Sequence, residues 1–126
     1  LMKKYTPNKN VHLTGFIDNA PQMIKDADIL LIPSQSFESF GLTAVEGMLN
    51  GIPVISTDTG GLPETLGENG VTGLYSSANN YELFSKNIIY LLDNKGLREE
   101  VGLNGKLRAE SLFSPSMMAK KYKDLI

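Results

Sequence analysis

Two glutamates and a glycine in one stretch of the sequence have the residue types and spacing of a ligand site. The stretch is PSQSFESFGLTAVEGMLNGIPVIST, residues 33–57, with seven residues between Glu38 and Glu46. Gly41 lies where a helix is predicted to begin, and the first amides of a helix have no intrahelical partner. Such N–H groups, together with the positive end of the helix dipole, can bind phosphate. Because many helices begin near a glycine, this feature alone is weak evidence for a site.

Glu46 lies inside the predicted helix and adds a second signal. Leu42, Val45 and Leu49 are spaced to form its inward face. Glu46 lies about 40° from Leu42 on the helix circumference, at the margin of that face. A carboxylate there lowers stability unless a partner compensates it. One interpretation is a salt bridge with a lysine or a hydrogen bond with a backbone amide. The other is a contact with two ribose hydroxyls, which acidic residues make in dinucleotide-binding folds.

Glu38 lies in the loop that precedes the same helix. For a loop glutamate, plain exposure to solvent is the default interpretation. Its neighbours Phe37 and Phe40 are aromatic, and aromatic side chains in a loop are predicted to anchor it to the rest of the protein. The loop is therefore expected to be ordered.

Composition limits the classes of protein to which the chain can belong. Its 126 residues, 41% hydrophobic, predict one globular domain. The net charge of −2 argues against a nucleic-acid-binding protein. The absence of cysteine excludes disulfides and thiolate metal sites, and a single histidine argues against a transition-metal site. Solvated helix faces are the favoured interpretation of the small basic groups, with membrane contact as the lesser alternative: Lys3 and Lys4, and Lys120, Lys121 and Lys123.

The hydrophobic pattern predicts alternating strands and helices. Strands are predicted at residues 11–15, at 28–34, where a continuous apolar run indicates burial on both faces, at 53–57 and at about 73–75. Helices are predicted after Asn19, at about 41–50, near 62–66, after Asn79 or Asn80, at about 97–112, and after Ser114. The first seven residues are predicted to be the last turn of a helix that Pro7 ends.

This alternation predicts an α/β fold: a doubly wound, Rossmann-like parallel sheet with helices on both faces, followed by C-terminal helices. In such sheets ligands bind at the carboxyl ends of the strands. The loops after Gly15, Ser34 and Thr57 should meet at that edge. His12 lies in a predicted strand and is interpreted as a solvent-facing or hydrogen-bonded structural residue.

The complete motif, P-S-x-x-x-E-S-F-G-L-T-A-V-E-G-M-x-x-G-I-P-V-I-S-T-x-x-G-G-x-x-E, resembles the C-terminal nucleotide-sugar-binding domain of family 4 retaining glycosyltransferases. These enzymes have the two-domain GT-B fold. NVHLTGFIDN before the motif and FSPSMMAKKYKDL near the end of the chain are also similar to the family. The resemblance therefore covers nearly the whole chain.

The resemblance implies roles for individual residues. Glu46 would bind the ribose hydroxyls, and Glu38 would lie at the donor sugar and the reacting centre as the catalytic residue. Backbone amides would contact the sugar ring and diphosphate at Phe40, Gly41, Leu42 and Thr43. The base pocket would be lined by Gly15, Phe16 and Ile17. A mainly structural role is assigned to the G-G-x-x-E residues Gly60, Gly61 and Glu64. Gly47 and Leu49 depart from the family, which commonly has alanines there.

The resemblance also implies an activity. The parent enzyme would move a sugar from a nucleoside-diphosphate sugar to an acceptor hydroxyl with retention, needing no divalent metal or other cofactor. Residues 1–126 would be part of the C-terminal donor-binding domain, without the N-terminal acceptor domain and the first strand–helix–strand segment with its basic pair. The isolated chain is therefore expected to be inactive. A non-catalytic nucleotide-binding or regulatory module, or a purely interacting domain, is the alternative.

The expected partners follow from this assignment. They are the nucleoside-diphosphate sugar and an acceptor bound by the N-terminal domain, with no nucleic acid. The parent is expected in the cytoplasm, with peripheral attachment to the inner face of the membrane as an alternative. Apolar surface exposed by truncation would favour dimerisation. The base, the donor sugar and the acceptor are left open.

Overall fold

A parallel three-stranded sheet forms the centre of the protein. The structure is a computed structural model and describes residues 9–126, so the predicted helical turn before Pro7 lies outside the described residues. The strands are β1 (Leu30–Ile32), β2 (Val54–Thr57) and β3 (Leu74–Ser76), in the sheet order β1-β2-β3. In the register Leu30 is opposite Val54, and Ile55 is opposite Leu74.

Helices connect the strands and complete the chain. They are α1 (Ala20–Ile24), α2 (Leu42–Leu49), α3 (Leu62–Leu66), α4 (Tyr81–Asp93), α5 (Lys95–Phe113) and α6 (Pro115–Leu125). Local signals explain several boundaries. The Asn80 side chain accepts a hydrogen bond from the Leu83 amide at 3.0 Å and caps α4. Ser114 caps α6 in the same way through the Met117 amide. Gly51 follows α2 with a φ of 71°.

Two apolar clusters cover the two faces of the sheet. Successive residues of a strand point to opposite faces, so Val54 belongs to one cluster and Ile55 to the other. The first cluster contains Ile32, Ala44, Met48, Val54, Leu62, Leu66 and Ala109. The second contains Ile55, Leu74, Leu91 and Val101. Because α5 contributes to both, it ties the two layers together. The predicted α/β fold with helices on both faces is confirmed.

One strand prediction is wrong, and a second is confirmed only over a shorter range. Residues 11–15 form no strand, and Val11 and Leu13 are exposed. An alternating sequence becomes a strand only beside a neighbour that supplies hydrogen bonds, and none of the three described strands pairs with these residues. Within residues 28–34 only β1 is a strand. It is an edge strand, and Leu31 is 42% exposed instead of buried.

The predicted inward face of α2 is also wrong. Leu42 is 70% exposed and Leu49 is exposed as well. The buried residues of this helix are Ala44, Val45, Gly47 and Met48. A Cβ added at Gly47 would lie 2.6 Å from Cδ2 of Leu30, so the absence of a side chain there lets α2 approach β1 closely. The helix therefore packs on the sheet through the side that carries its small residues, and Leu42 and Leu49 lie on the exposed side.

Candidate functional site

The loop between β1 and α2, residues 34–41, is joined to the segment after β2. Thr57 Oγ1 donates a hydrogen bond to the Ser34 carbonyl at 2.6 Å, and Thr59 Oγ1 donates to the same oxygen at 3.0 Å. The carboxyl ends of β1 and β2 are therefore linked directly. This is the edge of the sheet at which the sequence predicts a ligand site.

Two consecutive glycines let the backbone of Glu38 lie against this segment. The Gly61 amide donates to the Glu38 carbonyl at 3.0 Å. Gly60 has a φ of 57°, and a Cβ there would overlap the Glu38 carbonyl oxygen. A Cβ at Gly61 would overlap the Ser39 carbonyl. These contacts agree with the structural role predicted for both glycines. Glu38 is half-buried, and its carboxylate has no hydrogen bond or ion pair with a described residue.

Phe40 anchors the loop at two points. Its carbonyl accepts a hydrogen bond from Thr65 Oγ1, and its ring packs edge-to-face on Phe113 with 5.3 Å between ring centroids. Such aromatic pairs stabilise a fold beyond the area that they bury. The same prediction for Phe37 is wrong, because its side chain is 89% exposed.

Gly41 turns the chain into α2 and leaves amides free. It is the N-cap residue, with φ 80° and ψ 54° in the left-handed region that glycine favours. The Ala44 and Val45 amides both donate to the Gly41 carbonyl. In the part of the chain that the structure describes, the amides of Leu42 and Thr43 have no intrahelical partner. Both residues are exposed.

Glu46 is half-buried near the middle of α2. Its carboxylate makes neither an ion pair nor a hydrogen bond with any described residue. Its carbonyl does have a partner, since Asn50 Nδ2 donates to it at 2.8 Å. Within residues 9–126, neither of the structural partners considered for this glutamate is present. Its carboxylate oxygens are available to hydroxyl donors of a ligand.

The residues predicted for the base pocket lie in an exposed segment. Gly15 has a φ of 65° with open space around it, the Phe16 side chain is almost fully exposed, and Ile17 is half-buried. No hydrogen bond between described residues joins them to residues 34–41. His12 is exposed, which agrees with a solvent-facing residue.

Thr65 and Arg108 support this site through hydrogen bonds, and the sequence did not predict either role. Arg108 Nε donates to the Thr65 carbonyl at 3.0 Å, and Arg108 Nη2 donates to the Glu64 carbonyl at 2.7 Å. Arg108 thus holds the end of α3, and Thr65 holds the Phe40 carbonyl. The only sequence signal is a threonine directly after the glutamate of G-G-x-x-E.

Two cavities adjoin Phe40. The more polar one, of about 210 Å³, is lined by residues that include Glu64, Arg108 and Lys121. The apolar one, of about 460 Å³, lies between α2 and α6 and is lined by residues that include Leu42 and Met118. Glu38 and Glu46 line neither cavity. The candidate site is therefore an open surface at the start of α2.

The described residues contain neither a cluster of metal-ligating side chains nor a helix that could cross a membrane. No three histidine, aspartate or glutamate side chains among them are grouped so that they could hold a metal ion. No described helix is both long and apolar enough to cross a bilayer.

Comparison with known proteins decides the family. Residues 1–108 match the family Glycosyl transferases group 1. The chain belongs to this family. It is 39% identical over 89 residues to an uncharacterized glycosyltransferase of Methanocaldococcus jannaschii, covering 71% of this chain and 25% of that protein. It is 28% identical over 113 residues to the capsular polysaccharide biosynthesis glycosyltransferase CapM of Staphylococcus aureus, covering 90% of this chain and 29% of CapM.

A solved structure of Anabaena HepE in complex with UDP is similar to this group 1 glycosyltransferase chain, with a TM-score of 0.83 and 25% identity. The match covers 89% of this chain and 30% of HepE. The predicted fold, one half of a GT-B glycosyltransferase, is confirmed. Membership of family 4 specifically stays a prediction. The chain spans between a quarter and a third of the length of the curated relatives described above.

Proposed function

We propose that this chain is the donor-binding part of a retaining glycosyltransferase, which moves a sugar from a nucleoside-diphosphate sugar to an acceptor hydroxyl. One observation carries the proposal: the exposed start of α2 offers free amides between two carboxylates, Glu38 and Glu46, that have no partner among the described residues. Membership of the group 1 family supports it. So do the complexes of the similar HepE protein with UDP and with UDP-glucose.

Each part of the donor has a proposed partner. Glu46 accepts hydrogen bonds from the ribose hydroxyls, and the diphosphate lies at the amides of Leu42 and Thr43. When the bond between the sugar and the diphosphate breaks, negative charge develops on the diphosphate. Fixed N–H groups and the helix dipole stabilise that charge. Glu38 contacts the donor sugar at the reacting centre, and the base lies against Gly15, Phe16 and Ile17.

The acceptor is bound by a part of the parent enzyme outside this chain, and transfer requires no divalent metal. The chain alone is proposed to be inactive, because transfer needs a cleft between two domains. Transfer by the full-length parent should persist in EDTA. Loss of transfer in EDTA, with recovery on adding Mg²⁺, would contradict the metal-independent mechanism.

The role of Glu46 is tested by Glu46→Gln in the full-length parent. Removing the charge should weaken UDP, GDP or ADP, whichever binds the wild type, by about 10- to 100-fold, because hydrogen bonds to a charged group contribute about 1.5–3 kcal/mol. Titration calorimetry measures the Kd. Glu100→Gln is the matched control, because Glu100 is an exposed glutamate of α5. An unchanged Kd for Glu46→Gln would remove Glu46 from the site.

Glu38→Gln distinguishes catalysis from binding alone. The full-length Glu38→Gln variant should lose sugar transfer but still bind nucleotide, because Glu38 is proposed to contact the donor sugar and not the ribose. Full activity in Glu38→Gln would reduce this residue to a loop position. A parent that binds nucleotide but transfers no sugar from any tested donor would instead support a non-catalytic nucleotide-binding module.

A further inference from the structure

The last residue of β2 and the segment that follows it, residues 57–65, supply donors to three carbonyls of the loop 34–41. The acceptors are the carbonyls of Ser34, Glu38 and Phe40. The donors, in the same order, are the hydroxyls of Thr57 and Thr59, the amide of Gly61 and the hydroxyl of Thr65. These bonds fix the directions in which the three carbonyls point.

The carbonyl directions also determine where the following amides point. In a trans peptide the C=O and the next N–H lie on opposite sides of the chain, and the described chain contains no cis peptide. Because the carbonyls of Glu38 and Phe40 face residues 57–65, the amides of Ser39 and Gly41 face away from them. Neither amide has a hydrogen-bond acceptor among the described residues. The Gly41 amide immediately precedes the free amides at the start of α2.

Thr65 holds the peptide next to these amides. Its side chain is 1% exposed. A threonine hydroxyl within a helix often bonds a carbonyl of its own helix. Here the Gly61 carbonyl, four residues back, accepts the Thr65 amide, and the hydroxyl bonds the Phe40 carbonyl of another segment. Arg108 donates two further hydrogen bonds to the backbone of α3, at the Glu64 and Thr65 carbonyls. Thr65 is therefore a fixed donor.

We infer that Thr65 is a positioning residue of the diphosphate site: its hydroxyl orients the Phe40–Gly41 peptide so that the Gly41 amide joins those of Leu42 and Thr43 in binding the diphosphate. The inference rests on the proposed function. If the inference is right, nucleotide affinity depends on the hydroxyl group of Thr65. If Thr65 acted only through packing, affinity would depend on the size of its side chain.

The test compares variants with and without the hydroxyl in the full-length parent. Thr65→Val removes the hydroxyl at nearly constant size, and Thr65→Ser keeps it. Thr65→Ala is a second variant without the hydroxyl, to be used if valine prevents folding. Thr72→Val is the matched control, because the Thr72 hydroxyl donates to the Leu66 and Glu68 carbonyls and to no carbonyl of the loop 34–41.

We expect Thr65→Val to raise the Kd for UDP, or for whichever nucleoside diphosphate binds, about fivefold or more in titration calorimetry. Thr65→Ser should bind within about twofold of the wild type, as expected when one hydrogen bond is restored. Thr72→Val should lower the unfolding temperature without changing the Kd. Unchanged affinity in Thr65→Val, or equal weakening in Thr72→Val, would overturn the inference.

The inference and the proposed function fail in different ways. If Glu46→Gln weakens binding and Thr65→Val does not, only the positioning role of Thr65 is wrong. If the wild type binds no nucleoside diphosphate, both are wrong.

Discussion

Gly60→Ala tests whether the close contact with Glu38 adds to the free-energy cost of placing alanine in a left-handed backbone conformation. Gly60 has a φ of 57°, and a Cβ there would overlap the Glu38 carbonyl oxygen. The oxygen belongs to the backbone, so it cannot move aside as the end of a flexible side chain could. Gly60→Ala should therefore displace the loop that carries Glu38.

Gly70→Ala is the matched control. Gly70 has a φ of 87°, also in the left-handed region, but a Cβ there would have no neighbour within 4 Å. The left-handed conformation costs an L residue about 1–2 kcal/mol. The smaller entropy of the unfolded alanine chain stabilises a Gly→Ala variant by about 0.4–1 kcal/mol where the native φ suits alanine, which is not the case at Gly70. Gly70→Ala should thus lower the free energy of unfolding by about 1–2 kcal/mol.

Gly60→Ala should cost more, because two further effects add to the same conformational cost. The overlap moves the Glu38 backbone, and the hydrogen bond between the Gly61 amide and the Glu38 carbonyl is lost. With about 1 kcal/mol for that bond and a similar amount for the overlap, the total is about 3–4 kcal/mol. Nucleotide binding should weaken in Gly60→Ala and stay unchanged in Gly70→Ala.

Urea denaturation of this chain, followed by circular dichroism, measures the two free energies of unfolding. The denaturant dependence should be the same for both variants if each remains two-state, so that the midpoints report stability alone. Equal destabilisation of Gly60→Ala and Gly70→Ala would refute the reasoning, because it would show that the contact at Glu38 relaxes at no cost.

Two further predictions concern stability. Arg108→Met should lower the free energy of unfolding by about 2–3 kcal/mol, because it removes both hydrogen bonds to the end of α3. Lys86→Met, which removes only an exposed pair with Glu82, should cost under about 0.5 kcal/mol in the same urea denaturation, and equal losses would contradict the role given to Arg108. Asn80→Ala should cost about 1 kcal/mol through loss of the α4 cap, whereas Asn79→Ala should change little. A larger loss for Asn79→Ala in thermal denaturation would place the cap one residue earlier.

Local chemistry explains the parts of the fold that could be predicted from the sequence. Gly41 and Gly51 bracket α2, and Asn80 and Ser114 cap the helices that follow them. The strand β2 was predicted from Val54 and Ile55, which directly follow Pro53, and it is buried at all four positions. Each of these signals acts within a few residues, so it does not depend on how distant segments pack.

The sequence predicted where the residues of the candidate site lie along the chain, but not what their side chains contact. The start of α2 and the positions of Glu38 and Glu46 along the chain follow from the motif. That neither carboxylate has a partner among the described residues is a property of the folded chain. The same applies to Phe37 and Phe40, which are both loop aromatics: only Phe40 meets another ring, that of Phe113.

Other features were decided by the tertiary structure alone. Residues 11–15 have the pattern of a strand, but none of the described strands pairs with them. The buried side of α2 was set by the close approach at Gly47, which outweighs the apolar spacing of Leu42 and Leu49. Thr65 meets the Phe40 carbonyl across 25 residues of sequence. A short motif therefore determined where helices begin and which groups can bind a ligand. The orientation of those groups depends on hydrogen bonds and packing between segments that only the folded chain brings into contact.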